Sequence, residues 1–331
     1  MSAPILAVED LHVRIGPANV LRGVSLDVRP GEAVGLVGET GSGKTMTVRA
    51  VTGLLSSIGG RITAGAITID GEDATTVNDK TWRRWQGKTL ALVPQSSMSS
   101  LSPLRRVRSQ LAETIRRVDR ASDTDAEVGA LLESVHLPVT KEVLNSYPHE
   151  LSGGMRQRVM IALALAVQPR LLIADEPTTA LDAAVRSSIL ELFGELRRDR
   201  NLALVLVSHD IGAIGSATDV IVVMYAGRSV ETGPTREVLA DPHHPYTGAL
   251  LAAMPARTPP GEPLPVVSGQ APRPEDARGG CAFADRCPAV MDACRLQDPA
   301  FLPLRARRRV ACLLAHQPEA GAHSAIEGPV R

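Results

Sequence analysis

The chain of 331 residues is long enough for one large domain plus an extension, and its hydrophobic content of 44% supports a sizeable buried core. Lys and Arg total 36, as do Asp and Glu, so the basic surplus of a typical nucleic-acid-binding protein is missing. No apolar run approaches the roughly 18–20 residues of a membrane span, and acidic Glu9 and Asp10 interrupt the stretch where a signal peptide would be apolar. We therefore expect a cytosolic protein that binds no nucleic acid.

Short apolar runs alternate with helical patterns over roughly the first 250 residues. Four of these runs predict strands buried on both faces, at residues 33–37, 89–93, 171–174 and 202–207. Because helical patterns separate them, the sequence predicts an α/β fold with a mainly parallel sheet. Segments 5–15 and 24–28 alternate apolar and polar residues and predict an antiparallel edge sheet. Residues 104–143 are helical and polar, which predicts a helical subdomain inserted over about residues 96–155.

A phosphate-binding loop is predicted between the strand at 33–37 and the helix that follows it. Its residues are Gly38, Glu39, Thr40, Gly41, Ser42, Gly43, Lys44 and Thr45. The glycines let consecutive backbone N–H groups curl around a phosphate, and the helix N-terminus adds the positive end of its dipole. Lys44 supplies a cation for the β- and γ-phosphates of ATP, and the Thr45 hydroxyl can ligate Mg²⁺. The alternative is a Gly-rich turn without a ligand, which the strand–loop–helix context disfavours.

Two carboxylates, Asp175 and Glu176, end the predicted strand at 171–174. Asp175 at the strand tip is expected to hold the Mg²⁺ shell, and Glu176 to orient and deprotonate the attacking water. Many apolar strands end in acidic residues, so the pattern alone is weak. Downstream of a phosphate loop it indicates nucleoside triphosphate hydrolysis.

The segment Leu151-Ser152-Gly153-Gly154-Met155 precedes another helix, and Ser152 is expected to be its N-cap. The longer run LSGGMRQR also resembles the signature motif of ABC ATPases, which lies between the phosphate loop and the acidic strand. This resemblance implies a P-loop NTPase core of the ABC ATPase type. A capped helix without further function is the alternative explanation of the segment.

Other positions follow the order of the ABC ATPase motifs. Gln95 resembles the Q-loop glutamine that senses Mg²⁺ and the transmembrane partner, and His209 resembles the switch histidine that contacts the γ-phosphate. Ala180-Leu181-Asp182 resembles the D-loop. Where the family usually stacks an aromatic side chain on adenine, this chain has Ile15, which implies an aliphatic contact with the base.

The family resemblance also implies partners. Two ATPase domains dimerise head to tail in this family, so Ser152, Gly153 and Gly154 are expected to act on the nucleotide of a second ATPase subunit, either another copy or a paralogue. Two transmembrane permease subunits and an extracytoplasmic solute-binding protein, reached through the permease, complete the implied assembly. The expected location is the peripheral, cytoplasmic face of the cell membrane.

The C-terminal part indicates a branch of the family. The run Asp241-Pro-His-His-Pro-Tyr246-Thr247, followed by a Pro-rich stretch and Cys-Ala-Phe-Ala-Asp-Arg-Cys-Pro, resembles the dipeptide/oligopeptide uptake branch. The HPYT segment is expected to be a helix-entry turn. The resemblance covers about residues 5–315 and implies ATP-driven peptide import. Alternatives are a soluble ABC ATPase acting on ribosomes or DNA, and an importer for a non-peptide solute such as nickel.

Domain boundaries follow from composition. Residues 1–254 are predicted to form the nucleotide-binding domain, and residues 255–331 a Pro-rich linker and a cysteine-containing extension. The Arg-rich run at 305–309 is expected to be a solvated basic face.

Four clustered thiols in a reducing compartment suggest a metal ligand set, Cys281, Cys287, Cys294 and Cys312. Their spacings of five, six and seventeen residues do not match a zinc knuckle. The branch resemblance implies a [4Fe–4S] cluster, with Zn²⁺ and the absence of any metal as alternatives.

Overall fold

A computed structural model of the chain describes residues 2–96, 100–118, 123–179, 181–254, 258–259, 262–263, 265–273, 276 and 279–316. Ala180 of the predicted D-loop, several residues of the Pro-rich linker and residues 317–331 lie outside the described part.

The described strands form two sheets. In chain order they are β1 (Leu6–Ile15), β2 (Ala18–Val28), β3 (Ala33–Val37), β4 (Gly60–Ile69), β5 (Glu72–Asp73), β6 (Leu90–Val93), β7 (Leu171–Asp175), β8 (Ala203–Ser208), β9 (Val220–Tyr225), β10 (Arg228–Pro234), β11 (Leu302–Arg305) and β12 (Arg308–Val310). One sheet is antiparallel, with the order β2-β1-β4-β5. The other has the order β11-β12-β10-β9-β3-β8-β7-β6, and its strands from β9 to β6 are parallel. The predicted α/β class, with a mainly parallel sheet and a separate antiparallel sheet, is confirmed.

The parallel strands are buried on both faces because alternate side chains enter two different cores. In β7, Leu172 and Ala174 join a core under the helices, whereas Leu171 and Ile173 join a core facing the antiparallel sheet. A period of two along a strand produces this division. Because both faces are buried, the sequences of these strands are continuous apolar runs.

Helices cover the main sheet and fill the region between β6 and β7. They are α1 (Lys44–Val51), α2 (Asp79–Gln86), α3 (Val107–Val118), α4 (Thr124–Ser134), α5 (Lys141–Asn145), α6 (Gly153–Leu165), α7 (Ala183–Arg200), α8 (Ile211–Gly215), α9 (Thr235–Ala240), α10 (Pro245–Ala252) and α11 (Asp292–Leu296). Side-chain oxygens cap many of the helix N-termini. The Asp123 carboxylate caps α4, and the Asp182 carboxylate caps α7. No helix in the described ranges is long and apolar enough to cross a bilayer.

The C-terminal extension adds two strands to the main sheet. Strand β12 pairs antiparallel with β10, where Glu231 lies opposite Val310, and β11 pairs with β12. The sequence did not predict these strands, because both are short and rich in arginine or proline. The expectation of a solvated basic face at 305–309 is wrong for one residue: Arg308 is 1% exposed and bonds to the buried carboxylate of Glu231.

Candidate functional site

Four parallel strands bring the predicted catalytic residues to one edge of the main sheet. Strands β3, β8, β7 and β6 are consecutive neighbours, so their carboxyl ends lie side by side. The phosphate loop follows β3, His209 follows β8, Asp175 and Glu176 follow the body of β7, and Gln95 follows β6. The site is therefore assembled by strand order from four separate segments.

The phosphate loop needs glycine at two positions for different reasons. A Cβ on Gly38 would lie 2.2 Å from the Met224 carbonyl oxygen, so only glycine fits against β9. Gly43 has φ +102° and is the residue from which α1 begins. Lys44 is buried, and its Nζ donates to the carbonyl oxygens of Gly38 at 2.7 Å and Glu39 at 3.0 Å. The Lys44 side chain therefore lies folded back across the phosphate loop, which precedes it in the chain.

Two buried oxygens at the loop fit a magnesium nucleotide. The Oδ1 atom of Asp175 and the Oγ atom of Ser42 are buried and have no hydrogen-bond partner among the described residues. Burial raises the pKa of the Asp175 carboxyl, and the Thr45 side chain lies close enough to oppose that rise, so a carboxylate and a hydroxyl, both ligands that Mg²⁺ accepts, are adjacent. The donor set therefore fits the predicted metal and nucleotide.

Burial shifts the pKa values of Asp175 and Lys44 in opposite directions. It raises the pKa of Asp175, an effect that adjacent Glu176 reinforces and Lys44 opposes. Burial also lowers the pKa of Lys44, while Glu176, Asp175 and Glu39 oppose that change. The site thus holds opposite charges out of water at short range, an arrangement common where phosphate chemistry occurs.

Glu176 contacts two other predicted residues, Gln95 and His209, and one further residue, Thr179. Its Oε2 atom accepts hydrogen bonds from Gln95 Nε2 and from Thr179 Oγ1, both at 3.0 Å, and lies 3.5 Å from His209 Nδ1. Its backbone has φ +47°, in the left-handed region that L-residues rarely occupy. Sequence reasoning missed Thr179; its position three residues after a carboxylate was the available signal.

The signature segment lies at the start of α6. Ser152 is the N-cap, and its Oγ accepts from the Met155 N–H at 3.2 Å, as the sequence predicts. A Cβ on Gly154 would lie 2.8 Å from Val185 Cγ1, so glycine here permits close packing against α7. Ser152 itself is exposed, whereas Ile15 is half-buried at the end of β1.

Glu39 of the phosphate loop has contacts that the sequence did not predict. Its backbone N–H donates to Tyr246 Oη at 2.9 Å, and its carboxylate pairs with Arg286. Tyr246 belongs to the HPYT segment and Arg286 directly precedes Cys287. The two branch-specific motifs therefore both reach the nucleotide loop.

The HPYT segment is a helix-entry turn, as predicted. His244 is the N-cap of α10, and its Nδ1 accepts from the Tyr246 N–H at 3.1 Å, with Pro245 in the first turn. Burial lowers the pKa of His244 to about 3, so the ring is neutral at physiological pH.

The four cysteines are free thiols in one part of the extension, and Cys294 and Cys312 are buried. Burial raises the pKa of Cys281, Cys287 and Cys312, while backbone N–H groups just downstream oppose the rise. Across the described chain, no set of three or more His, Cys, Asp or Glu side chains is arranged to hold a metal ion. The thiol chemistry suits a metal, whereas the arrangement shown does not form a ligand set.

Comparison with known proteins adds two family matches. The family described as "ABC transporter" matches residues 21–179, and "Oligopeptide/dipeptide transporter, C-terminal region" matches residues 230–294.

Similar proteins have a matching length. The chain is 40% identical over 314 residues to the dipeptide transport ATP-binding protein DppD of Escherichia coli (strain K12), covering 93% of this chain and 96% of that protein. It is 38% identical over 300 residues to the oligopeptide transport ATP-binding protein AppD of Bacillus subtilis (strain 168), covering 90% and 92%.

Solved structures share the fold. The dimeric ATP-binding cassette MJ0796 bound to ADP and Pi has a TM-score of 0.62 at 25% identity, covering 70% of this chain and 99% of that one. The structure of cbiO1 from Clostridium perfringens has a TM-score of 0.64 at 24% identity, covering 72% and 92%.

Proposed function

The chain belongs to the ABC transporter ATP-binding proteins of the dipeptide/oligopeptide branch, and from this premise we propose that it drives peptide uptake through separate membrane subunits. The observation that carries the proposal is the convergence of Lys44, Asp175 and Glu176 with Gln95 and His209 at one sheet edge. The proposed location is the cytoplasmic face of the membrane. Residues 1–254 are assigned to the nucleotide-binding domain, with the helical subdomain over about 96–155, and residues 255–331 to the extension.

ATP is held by the phosphate loop through its backbone N–H groups and Lys44, and Ile15 provides an aliphatic contact with the base. Thr45, Asp175 and Gln95 are the proposed Mg²⁺ positions, and the ion supplies charge neutralisation at the phosphates. Glu176 removes a proton from the attacking water, while Gln95 and Thr179 fix the orientation of its carboxylate. His209 contacts the γ-phosphate.

The second half of each site comes from another ATPase subunit. Ser152, Gly153 and Gly154 lie at a helix N-terminus, where exposed N–H groups and the dipole favour an anion. We assign them to the nucleotide of the partner, which is a second copy or a paralogue. The likeness to a dimeric cassette with bound ADP supports this arrangement. Two permease subunits and an extracytoplasmic solute-binding protein complete the proposed assembly.

Uptake of radiolabelled dipeptides by cells that express the transporter tests the proposed solute. Wild-type protein should support uptake, and Lys44→Ala should abolish it while the protein stays in the membrane fraction. Excess unlabelled oligopeptide should compete and Ni²⁺ should not. Competition by Ni²⁺ alone would reassign the solute, and co-sedimentation with ribosomes or DNA would favour the soluble alternative.

For the extension, we propose that the four cysteines bind a [4Fe–4S] cluster, with Zn²⁺ as the alternative. Four thiols in one segment, with backbone N–H groups directed at three of the sulfurs, support this assignment. Because the arrangement shown is not a ligand set, binding would have to reorganise the segment. Protein purified without oxygen should be brown, contain about four irons per chain and bleach with dithionite. Stoichiometric zinc without colour would favour the alternative, and metal-free active protein would dismiss both.

A further inference from the structure

One side chain of the phosphate loop is held from the C-terminal extension. Arg286 donates to Glu39 through both ends of its guanidinium, with Nη1 2.9 Å from Oε2 and Nη2 3.1 Å from Oε1. This is the bidentate geometry that fixes a carboxylate in orientation as well as in position. The Arg286 side chain is 6% exposed, so the ion pair is screened little by solvent.

The guanidinium is itself held in place on every side. Its Nε donates to the Ser268 carbonyl at 2.9 Å, Nη2 to the Val267 carbonyl at 3.1 Å, and Nη1 to Tyr225 Oη at 3.1 Å. These bonds join the Pro-rich linker, the end of β9 and the cysteine segment to one carboxylate. A lysine at this position could not reproduce the planar fork.

Tyr246 holds the same loop residue through its backbone. The hydroxyl accepts from the Glu39 N–H at 2.9 Å, and the ring is fully buried against Tyr225 and Phe283. The backbone and the side chain of Glu39 are thus both fixed by elements that follow the catalytic motifs in the chain.

The ion pair between Arg286 and Glu39 affects nucleotide binding because Glu39 carries a negative charge. Glu39 belongs to the phosphate loop, and its backbone carbonyl accepts from Lys44 Nζ at 3.0 Å, so its carboxylate lies within electrostatic range of the phosphate-binding position. A bare carboxylate there would repel a triphosphate. Arg286 supplies the neutralising charge.

We propose that Arg286 and Tyr246 are positioning residues for the phosphate loop, and that through Arg286 the C-terminal extension sets the affinity of the chain for MgATP. The inference rests on the nucleotide-binding role proposed above and does not depend on the transported solute or on a metal at the cysteines.

The extension has other attachments, so loss of Arg286 should not detach it. Asp298 pairs with Arg22 and Arg228, Glu32 pairs with Arg307, and β12 pairs with β10. A variant at Arg286 can therefore separate positioning of the loop from folding of the extension.

The test measures the Kd for MgATP with a fluorescent ATP analogue on the full-length protein. Arg286→Gln should weaken binding about tenfold, the scale of one charge-assisted contact. The nucleotide-free variant should melt somewhat lower than wild type, because Glu39 loses its cationic partner, but should stay folded. Arg295→Gln is the matched control, because Arg295 forms an ion pair with Asp285 in the same segment at 2.6 Å without touching the loop. Tyr246→Phe should weaken binding by a smaller factor, and Tyr147→Phe should not.

A second variant distinguishes charge neutralisation from simple packing. If Arg286 acts through the Glu39 charge, the double variant Glu39→Gln, Arg286→Gln should regain most of the affinity lost in Arg286→Gln. Equal affinities for wild type, Arg286→Gln and Tyr246→Phe would overturn the inference, as would a double variant no better than Arg286→Gln. Absence of MgATP binding by the wild type would instead overturn the nucleotide-binding role itself.

Discussion

Glu176 stands in the left-handed region of backbone space, directly after the last residue of β7. For a residue other than glycine this conformation costs roughly 1–2 kcal/mol. Its N–H donates to the Val207 carbonyl at 3.1 Å, so the neighbouring strand stabilises the conformation. Such strain persists where a site requires it, and here it directs the carboxylate toward Gln95 and Thr179.

Replacing Glu176 tests its role as the base. Glu176→Gln is isosteric and should lower the turnover of ATP by about 10²–10⁴-fold while MgATP still binds and nucleotide-bound dimers accumulate. Phosphate release and equilibrium nucleotide binding measure the two effects separately. Glu191→Gln, at an exposed carboxylate on α7, is the control. Near-normal hydrolysis by Glu176→Gln would assign the base elsewhere.

Asp175 combines a proposed Mg²⁺-binding role with a cost in stability. Its pKa is raised in the folded state, so the charged form is disfavoured there, and stability is lost as the pH rises above the unfolded value of 3.8. Asp175→Asn removes this charge. The nucleotide-free variant should therefore be more stable than wild type at pH 7, and the difference should shrink as the pH falls toward 3.8.

Scanning calorimetry without MgATP measures the stability of the nucleotide-free protein, and the same measurement with MgATP shows how much the ligand adds. The Asn variant should melt higher than wild type without ligand yet gain little from Mg²⁺ and ATP, because a ligand position is lost. Asp199→Asn, on the exposed side of α7, should change neither property. A nucleotide-free Asn variant that melts below wild type would contradict the assigned cost.

At the scale of elements, one buried carboxylate joins the HPYT turn to two strands. Glu231 on β10 accepts from the N–H groups of His243 and His244 at 2.9 and 3.0 Å and from Arg308 Nη2 at 2.8 Å. Arg308 Nη2 also donates to the Asp241 carbonyl at 2.8 Å. The turn, β10 and β12 therefore share a single polar network in the interior.

Removing one charged partner of this network should lower the stability of the protein. Arg308→Met leaves the Glu231 charge buried without its cationic partner, which lowers the free energy of unfolding by about 3–5 kcal/mol. Arg309→Met, one residue along β12, removes exposed contacts with the Phe301 ring and carbonyl oxygen and should cost less than about 1 kcal/mol. Calorimetry and limited proteolysis after about residue 258 provide the measurements. Equal effects of the two substitutions would mean that the network contributes no more than a surface contact.

At the scale of the whole molecule, the signature and the phosphate loop belong to different helices of one chain, α6 and α1. The proposed composite site pairs the phosphate loop of one subunit with the signature of another, so it requires two subunits. This requirement makes hydrolysis depend on protein concentration.

Mixing two inactive variants tests the composite site. Ser152→Asp retains an N-cap but places a negative charge against the partner's nucleotide, and Lys44→Ala disables the loop. Each should be inactive alone, whereas an equal mixture should recover about a quarter of wild-type sites, since half of the dimers then hold one intact site. Ser152→Asn, an uncharged cap, is the control for helix stability. Full wild-type activity at dilutions that leave only monomers would exclude the shared site.

Most of the site was predictable because its residues occur in local patterns. The phosphate loop, the acidic strand end and the signature each occupy a few consecutive residues, and the parallel-sheet rule then places strand ends together. Thr179 escaped notice because a threonine three residues after a carboxylate is common and does not by itself indicate a contact. The contacts of Tyr246 and Arg286 with Glu39 were not predictable, since neither motif implies which surface it meets.

The sequence by itself predicted the α/β class, four parallel strands of the main sheet and the candidate site residues at their carboxyl ends, because burial on both faces and loop geometry restrict residue type at each position. Only the tertiary structure decided that β11 and β12 extend the main sheet and that Arg308 is buried. It also decided that Arg286 reaches Glu39 across 247 positions of the chain. A contact at that separation depends on how whole elements pack, and neither periodicity nor composition encodes it.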